Sequence, residues 1–261
     1  MNLTVVVSAI AALSWLIVVG LIVLTILRAT RGQKYSNLVS AIIMAAVLAV
    51  VLNVLSAGLI FIEPQERGVV VSAIQDGVRD QALQPGLTWI VPYAETVVPY
   101  SISRQTYTMS IAPEEGQIIG DDSVEARTRD GQVVLVDASI IFAINPTEVV
   151  NVHINWQDNY VDNLVRPQAR GVIRDAVSQF NVAEVYSTRR LELIEVMSQD
   201  MSGIFEQEGL ILVDFVLRNI AFSDEYAASI EQKQIAEQQA QRAALIVEQR
   251  RQEAEQAATQ E

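Results

Sequence analysis

Residues Leu38–Ile62 read LVSAIIMAAVLAVVLNVLSAGLIFI, and this stretch, which has no charged residue and no proline, decides the fold. As a helix rising 1.5 Å per residue it would reach about 37 Å, enough to cross a hydrocarbon core of roughly 30 Å with some tilt. The alternative, a buried helix in a soluble protein, rarely runs this far without an ionisable group. We therefore predict a membrane span over these residues.

One face of this span carries a small or polar side chain at every fourth position, which favours close packing against another helix. An amide inside a membrane also needs a hydrogen-bonding partner, and the contact between two helices would supply one for Asn53. We predict that this face is the packing surface of the span. Its residues are Ala41, Ala45, Ala49, Asn53 and Ala57.

A second apolar run, Leu3–Leu27, lies nearer the N-terminus and also lacks charge. It has neither the basic start nor the small-residue cleavage site of a secretory signal peptide, so we predict a retained span and a two-helix membrane part over residues 1–62. The loop Arg28–Asn37 holds three basic residues, and the positive-inside tendency places such a loop in the cytoplasm. We expect an integral protein of a prokaryotic plasma membrane, or an equivalent inner membrane, with its large domain extracytoplasmic.

Charge divides the chain in the same way. All 31 acidic residues lie from Glu63 onward with 15 of the 18 basic residues, so this part carries a net charge of −16. Such a surface repels phosphate backbones and anionic lipid heads, which argues against nucleic acid as a partner and leaves the apolar spans to hold the protein to membrane lipids. The absence of cysteine excludes disulfides, thiolate zinc sites and cysteine nucleophiles.

Residues 63–222 are predicted to form one α+β domain, because strand patterns come first and helical patterns follow from Thr147. Turn signals separate these elements, such as Asn145-Pro146 after a long β-rich run. Residues 89–91, which include Trp89, belong either to a core strand or to the bilayer interface, where tryptophan is favoured. The predicted elements are the strands 68–74, 101–110, 133–144 and 210–222 and the helices 160–180 and 187–208.

Regular alternation along the last predicted strand indicates a single buried face. The apolar residues at every second position are Ile211, Val213, Phe215 and Leu217. We therefore expect these four side chains to point together into the core of the domain.

The last section, residues 223–261, has no Gly or Pro and consists mostly of Ala, Gln, Glu and Arg, a composition that favours helix. Small or apolar residues recur in steps of four and three, with only Arg250 interrupting, which predicts a coiled coil. Because an alanine seam buries little area, two such helices would associate weakly, whereas many copies side by side would hold together. The alternative is a single solvated helix. The seam residues are Ala236, Ala240, Ala243, Val247, Ala254 and Ala257.

Several sequence groups together resemble the SPFH (band 7) superfamily and, within it, the prohibitins. The most specific is IAFSDEYAASIEQKQIAEQQAQRA, residues 220–243, in which order, spacing and residue type all match. The shorter groups are Pro85-Gly86-Leu87 with Pro92, Thr128-x-Asp130-Gly131 with Val134 and Asp137, and Gly209-x-x-Leu212-x-Asp214.

The resemblance implies a membrane-anchored α+β SPFH domain followed by a helical coiled coil, assembled into large rings or cages. Such proteins organise membrane patches and often regulate FtsH-type AAA membrane proteases, without being enzymes and without a cofactor. Prohibitins generally have one N-terminal span where this chain has two, and the helical tail here is shorter. We therefore expect rings rather than a closed cage.

Other functions have less support in the sequence. His153 is the single histidine, which excludes multi-histidine metal sites, and a surface or helix-end position is its expected role. The groups Asp121-Asp122-x-x-Glu125 and Asp158 with Asp162 offer calcium ligands but lack the twelve-residue loop pattern, so solvated acidic loops are the simpler interpretation. The alternatives to a scaffold are a transport or channel subunit, with only Asn53 to line a path, and an extracytoplasmic hydrolase.

Overall fold

A computed structural model describes residues 3–31, 36–74 and 77–222, together with residues 226, 228, 232, 235, 236, 238–243, 245 and 246. Within 77–222, the side chains of residues 187 and 188 are excepted. The chain forms two compact units. Unit 1 comprises the chain up to Gln105 with Phe142–Tyr160 and Phe205–Ile211, and unit 2 comprises Thr106–Ile141, Val161–Ile204 and the chain from Leu212 onward. Both units combine helices with antiparallel strands, which confirms the predicted α+β class.

Two apolar helices open unit 1, α1 over Leu3–Thr30 and α2 over Ser36–Ala57, and they pack against each other. Both are long and apolar enough, by length and composition, to cross a membrane. Most of their large side chains face outward, as Leu16 and Met44 do with 66% and 74% of their surface exposed. Four serine and threonine hydroxyls of α1 donate to carbonyls three or four residues earlier, so the helix itself satisfies these polar groups.

The second helix ends five residues before the apolar run that predicts it, at Ala57 rather than Ile62, and begins two residues before it, at Ser36. Residues Leu59–Ile62 form strand β1, which pairs antiparallel with β4, Gly86–Trp89. The break falls at Gly58, where a Cβ atom would lie 2.3 Å from the Ile90 carbonyl oxygen. The Ile90 N–H donates to the Gly58 carbonyl at 2.8 Å, so helix and strand pair meet without a linker.

The remaining strands of unit 1 form a three-stranded sheet. Strand β2, Glu66–Ser72, lies between β3, Gly77–Val78, and β5, Glu95–Ser101, and both pairings are antiparallel. Its central residues Val69 and Val70 are fully buried. The predicted strand 68–74 therefore exists, shifted two residues toward the N-terminus.

Helix α3, Val149–Trp156, completes unit 1 with an aromatic cluster. The ring of Phe142 packs edge-to-face against Phe205 at 5.9 Å and against Tyr160 at 6.4 Å. The Tyr160 hydroxyl donates to the side chain of Gln105 at 2.9 Å, which satisfies its polar end.

Unit 2 is organised on strand β8, Val133–Ile144, whose bounds match the prediction. It pairs with β6, Gln105–Met109, with β7, Val124–Arg127, and with β9, Leu210–Phe222. The Asn145 N–H donates to the Gly209 carbonyl, so β9 begins where β8 ends and runs back along it.

Two helices of unit 2 follow the predicted periodicity. Helix α4, Arg166–Ser178, has a proline in its first turn, where no backbone donor is needed, and follows a π-helical turn over 161–165. Helix α5, Arg190–Gln207, buries a row of side chains four residues apart and ends before Gly209, whose φ of +79° suits the left-handed closing position. Within unit 2, the buried residues of α5 are Leu193, Met197 and Met201.

The face predicted for β9 is only partly correct. Phe215 and Leu217 are buried, but Ile211 and Val213 are 44% and 39% exposed. The more buried side chains fall on even-numbered residues up to Leu212 and on odd-numbered residues from Phe215 to Leu217. Such a change occurs when a strand contains one extra residue. An apolar strip of β9 is therefore left on the surface.

Replacing Gly58 with alanine is expected to lower the stability of unit 1 by about 1–3 kcal/mol, because the new Cβ would contact backbone that cannot move freely. Thermal unfolding in detergent, followed by circular dichroism, measures this change. Gly203→Ala is the matched control, since its Cβ would enter open space on an exposed face of α5 and a helical alanine is favoured by about 1 kcal/mol. Equal midpoints for the two variants would contradict the close approach at Gly58.

Candidate membrane-facing and assembly surfaces

The predicted packing face of α2 divides into two parts. Ala49 is fully buried, and Ala41 and Ala45 are half-buried. Asn53 and Ala57 are exposed, and within the described residues the Asn53 amide makes no side-chain hydrogen bond. Burial is thus confined to the first half of the stripe, while its last turn faces outward, and the packing role of the stripe stays a prediction.

Two loops of unit 1 lie close to the C-terminal end of α2. The Ile90 N–H bonds to the residue that follows this helix, and the chain turns at 91–95 immediately afterwards. Strand β2 ends beside this turn, because Ser72 pairs with Glu95. The next residue, Ala73, donates its N–H to the Ala94 carbonyl at 2.8 Å. Both loops therefore stand at the height of the helix end.

Large apolar side chains project from these loops. Tyr93 is 93% exposed, Ile74 is 64% exposed and Trp89, at the end of β4, is 44% exposed. We call these three residues the apolar tips. An aromatic ring with a polar end beside the end of an apolar helix is typical of the membrane–water interface.

The backbone of Tyr93 is strained, with a φ of +69° that costs a bulky residue about 1 kcal/mol or more. The surrounding turn holds it there. The Glu95 carboxylate accepts a hydrogen bond from the Val91 N–H at 2.8 Å, and the Glu95 N–H donates to the Val91 carbonyl. Arg79 binds the same carboxylate through Nη2, at 2.7 and 2.6 Å from its two oxygens. These contacts hold the backbone of the turn that carries Tyr93.

The Val91 N–H and then the Arg79 guanidinium hold the pKa of the Glu95 carboxyl below its usual range. Its side chain is 1% exposed, so this carboxylate depends on both donors for its hydrogen bonds. Loss of its charge would loosen the turn that carries Tyr93.

The tail gives partial information on the predicted seam. Ala236, Ala240 and Ala243 are helical and exposed, so nothing in the described chain covers them. The other three seam positions, Val247, Ala254 and Ala257, lie outside the described residues. The seam and the coiled coil stay predictions.

The single histidine has a structural partner. The Tyr100 hydroxyl lies 2.7 Å from Nδ1 of His153, and Tyr100 itself is 4% exposed. Burial, and after it the charge of Asp158, raises the pKa of Tyr100 to about 12, so the phenol stays protonated and can donate to the imidazole. This contact ties β5 to α3.

Two of the five acidic residues considered as calcium ligands, Asp121 and Asp122, are used within the fold. Asp121 accepts hydrogen bonds from the hydroxyl and N–H of Ser123, which lower the pKa of its carboxyl. Asp122 is 3% exposed and binds Arg166 at 2.6 Å and Arg170 at 3.0 Å, with the Tyr107 hydroxyl donating at 3.0 Å. In the part of the chain that the structure describes, no cluster of three or more His, Asp or Glu side chains could hold a metal ion.

Arginines of α4 and α5 also cover strand edges. Arg170 donates to the Ser123 carbonyl and Arg174 to the Glu125 carbonyl, both on the side of β7 that faces α4. Arg190 donates to the Leu217 carbonyl of β9 in the same way. The sequence does carry a signal for the contacts of Arg170 and Arg174. Arg166, Arg170 and Arg174 are four residues apart, which places all three on one helix face.

These observations define an α+β domain joined directly to an apolar helical hairpin, an architecture typical of membrane-anchored proteins. The sequence model of the SPFH domain / Band 7 family matches residues 60–260, and the chain belongs to this family. The resemblance noted in the sequence is thereby confirmed.

Curated relatives are similar along most of the chain. Prohibitin-1 of Saccharomyces cerevisiae is 24% identical over 222 residues, which cover 84% of this chain and 72% of the relative. Prohibitin-2 of Colletotrichum higginsianum is 25% identical over 68% of this chain and 52% of its own length. Prohibitin-2 of Gallus gallus is 24% identical over 75% of this chain and 60% of its own length. The matched region thus spans between about half and three quarters of these relatives.

Replacing Glu95 with glutamine is expected to lower the thermal midpoint of the protein at pH 7. Because the folded-state pKa of Glu95 is below that of the unfolded chain, the charged group stabilises the fold above the usual carboxyl pKa of about 4.3, and this stabilisation is lost as the pH falls through the folded-state value. The difference between the native chain and the variant should therefore shrink below about pH 4. A difference that stays constant from pH 7 to pH 3 would rule out this role.

Proposed function

We propose that this protein is a non-catalytic membrane scaffold of the prohibitin type. Copies anchored by the helical hairpin assemble into rings through the folded domain and the tail. The rings organise patches of membrane and restrict the access of an FtsH-type AAA protease to its substrates. The observation that carries the proposal is the direct joining of two exposed apolar helices to an SPFH domain.

The apolar tips support a second contact with the bilayer. A hairpin that crosses the membrane brings the 91–95 turn to the surface of the bilayer, because Ile90 is bonded to the end of α2. Tyr93, Trp89 and Ile74 then enter the interfacial layer, where aromatic rings are favoured. This contact needs no positive charge, which agrees with the net charge of −16 from Glu63 onward.

The composition of the tail supports the proposed assembly. Exposed alanines on a helix bury too little area for a stable pair, so their packing becomes favourable only when several copies are held close together. Anchoring in one membrane provides this high local concentration. We further propose that the basic loop between the spans is cytoplasmic and that the chain from Glu63 onward is extracytoplasmic.

Replacing Ala240 and Ala243 with glutamate is expected to reduce the size of the detergent-solubilised complex, because two charges would enter each seam contact. Analytical ultracentrifugation measures the size. Gln238→Glu with Gln241→Glu is the matched control, since it adds the same charge at the same spacing on a different face of the helix. A native chain that sediments as a monomer would overturn the scaffold.

The same pair of variants tests the link to proteolysis. In cells, loss of the ring is expected to change the turnover of membrane proteins that an FtsH-type protease degrades. Unchanged turnover in the Ala240/Ala243 variant, with its complex reduced in size, would remove the protease from the proposal.

Single cysteines test membrane contact and sidedness, because the native chain has none. A polarity-sensitive fluorophore on Tyr93→Cys is expected to emit at shorter wavelength in liposomes and to be quenched by nitroxide lipids. The same dye on Ser178→Cys, at the exposed end of α4, serves as the control. In intact cells an impermeant thiol reagent should label Ser178→Cys. Protection there would reverse the topology, and equal quenching at both sites would exclude a specific contact by Tyr93.

A further inference from the structure

An open groove of about 280 Å³ lies between α5 and β9 in unit 2. Two carboxylates, Glu195 and Asp214, line it together with the Gln199 amide and two serine hydroxyls. Both acidic side chains are exposed, and neither forms an ion pair within the described residues. The groove therefore offers acceptors for a cation that the described part of its own chain does not supply.

The walls of the groove select one kind of cation. Leu212, Val213 and Phe215 line its β9 side, so a ligand would meet apolar carbon as well as carboxylate oxygen. A guanidinium group suits both, because its edge donates to carboxylates and its flat face is weakly hydrated and packs on apolar groups. An ammonium group, which is compact and strongly hydrated, suits only the carboxylates.

Two exposed arginines stand on a different surface of unit 2. Arg127 ends β7, and Arg174 of α4 donates through Nε to the carbonyl of Glu125, two residues earlier on that strand. The two arginines therefore stand on adjoining elements, because α4 packs against β7. Within the described residues neither arginine forms an ion pair with a carboxylate.

We propose that the Glu195/Asp214 groove of one copy receives Arg127 and Arg174 of the next copy. The two surfaces share no residue, so the contact is heterologous and repeats head to tail, which generates a ring when the rotation closes. This inference rests on the proposed function, which brings many copies together on one membrane. It adds a contact between folded domains to the predicted contact between tails.

Overall charge gives this contact a particular role. Copies with a net charge of −16 from Glu63 onward repel one another, so random association of domains is disfavoured. Exposed arginines that meet an acidic groove then make an attractive contact. Complementary charge of this kind sets orientation and register more than it adds affinity.

Charge exchange tests the pairing. Reversing the basic side, Arg127→Glu with Arg174→Glu, or the acidic side, Glu195→Arg with Asp214→Arg, is expected to shift the solubilised complex to smaller sizes. The chain with all four changes should regain the native size, because each reversed surface meets a reversed partner. Asp162→Arg with Asp200→Arg changes net charge equally at exposed positions outside the groove and should leave the size unchanged.

Cross-linking provides a second measurement that does not depend on the reversed charges. A chain with Arg127→Cys and Glu195→Cys, treated with a short bis-maleimide in membranes, is expected to give a ladder of dimers, trimers and larger products. Each single-cysteine chain should stay monomeric, and a mixture of the two should stop at dimers. Arg127→Cys with Asp200→Cys is the matched control and should give no ladder.

The outcomes separate this inference from the proposed function. If the native chain forms large complexes but the four-change chain stays as small as its parents, or the double-cysteine chain gives no ladder, the head-to-tail contact is wrong and the scaffold stands. If Glu195→Cys alone cross-links to itself, the contact is symmetric and the inference is again overturned. If the native chain is monomeric, both fail.

Discussion

The hydrogen bond from the Ile90 N–H to the Gly58 carbonyl is the constraint on which the membrane-proximal structure depends. It joins the second apolar helix to the first strand pair, and only a glycine allows the backbones to come this close. Because no linker intervenes, this bond places the first strand pair directly at the end of α2. The 91–95 turn follows Ile90 and is bonded to Ala73, so the loops that carry Tyr93 and Ile74 lie near the same helix end.

Buried carboxylates stabilise segments of both units through hydrogen bonds and ion pairs. In unit 1, Glu95 closes the turn that holds Tyr93 in a strained conformation, and Arg79 neutralises the buried charge. In unit 2, Asp122 gathers Arg166 and Arg170 beside β7. Burying a carboxylate is costly unless it is paired and hydrogen-bonded, and both are. In each unit a buried carboxylate thus pairs with arginine and ties together the segments that meet around it.

Local signals in the sequence were sufficient where an element is bounded by its own turn chemistry. Strands β8 and β9 have the predicted bounds because Gly131, Asn145-Pro146 and Gly209 limit them. The end of α2 could not be predicted, since Gly58 meets residues about thirty positions further along. The pairing of Asp122 with arginines more than forty positions away was missed for the same reason. The predicted face of β9 is only partly correct because burial does not alternate regularly along the whole strand, as the prediction assumed.

The arginines that bond to strand-edge carbonyls have a consequence for a protein packed densely on a surface. A bare strand edge is a template for further strands, and at high density it would lead to open-ended, irreversible fibrils. With Arg174 on β7 and Arg190 on β9, that route is obstructed on both strands. Association is left to side chains, whose contacts can be broken and remade. If copies gather as the proposed scaffold requires, contacts of this kind allow them to separate without first being unfolded.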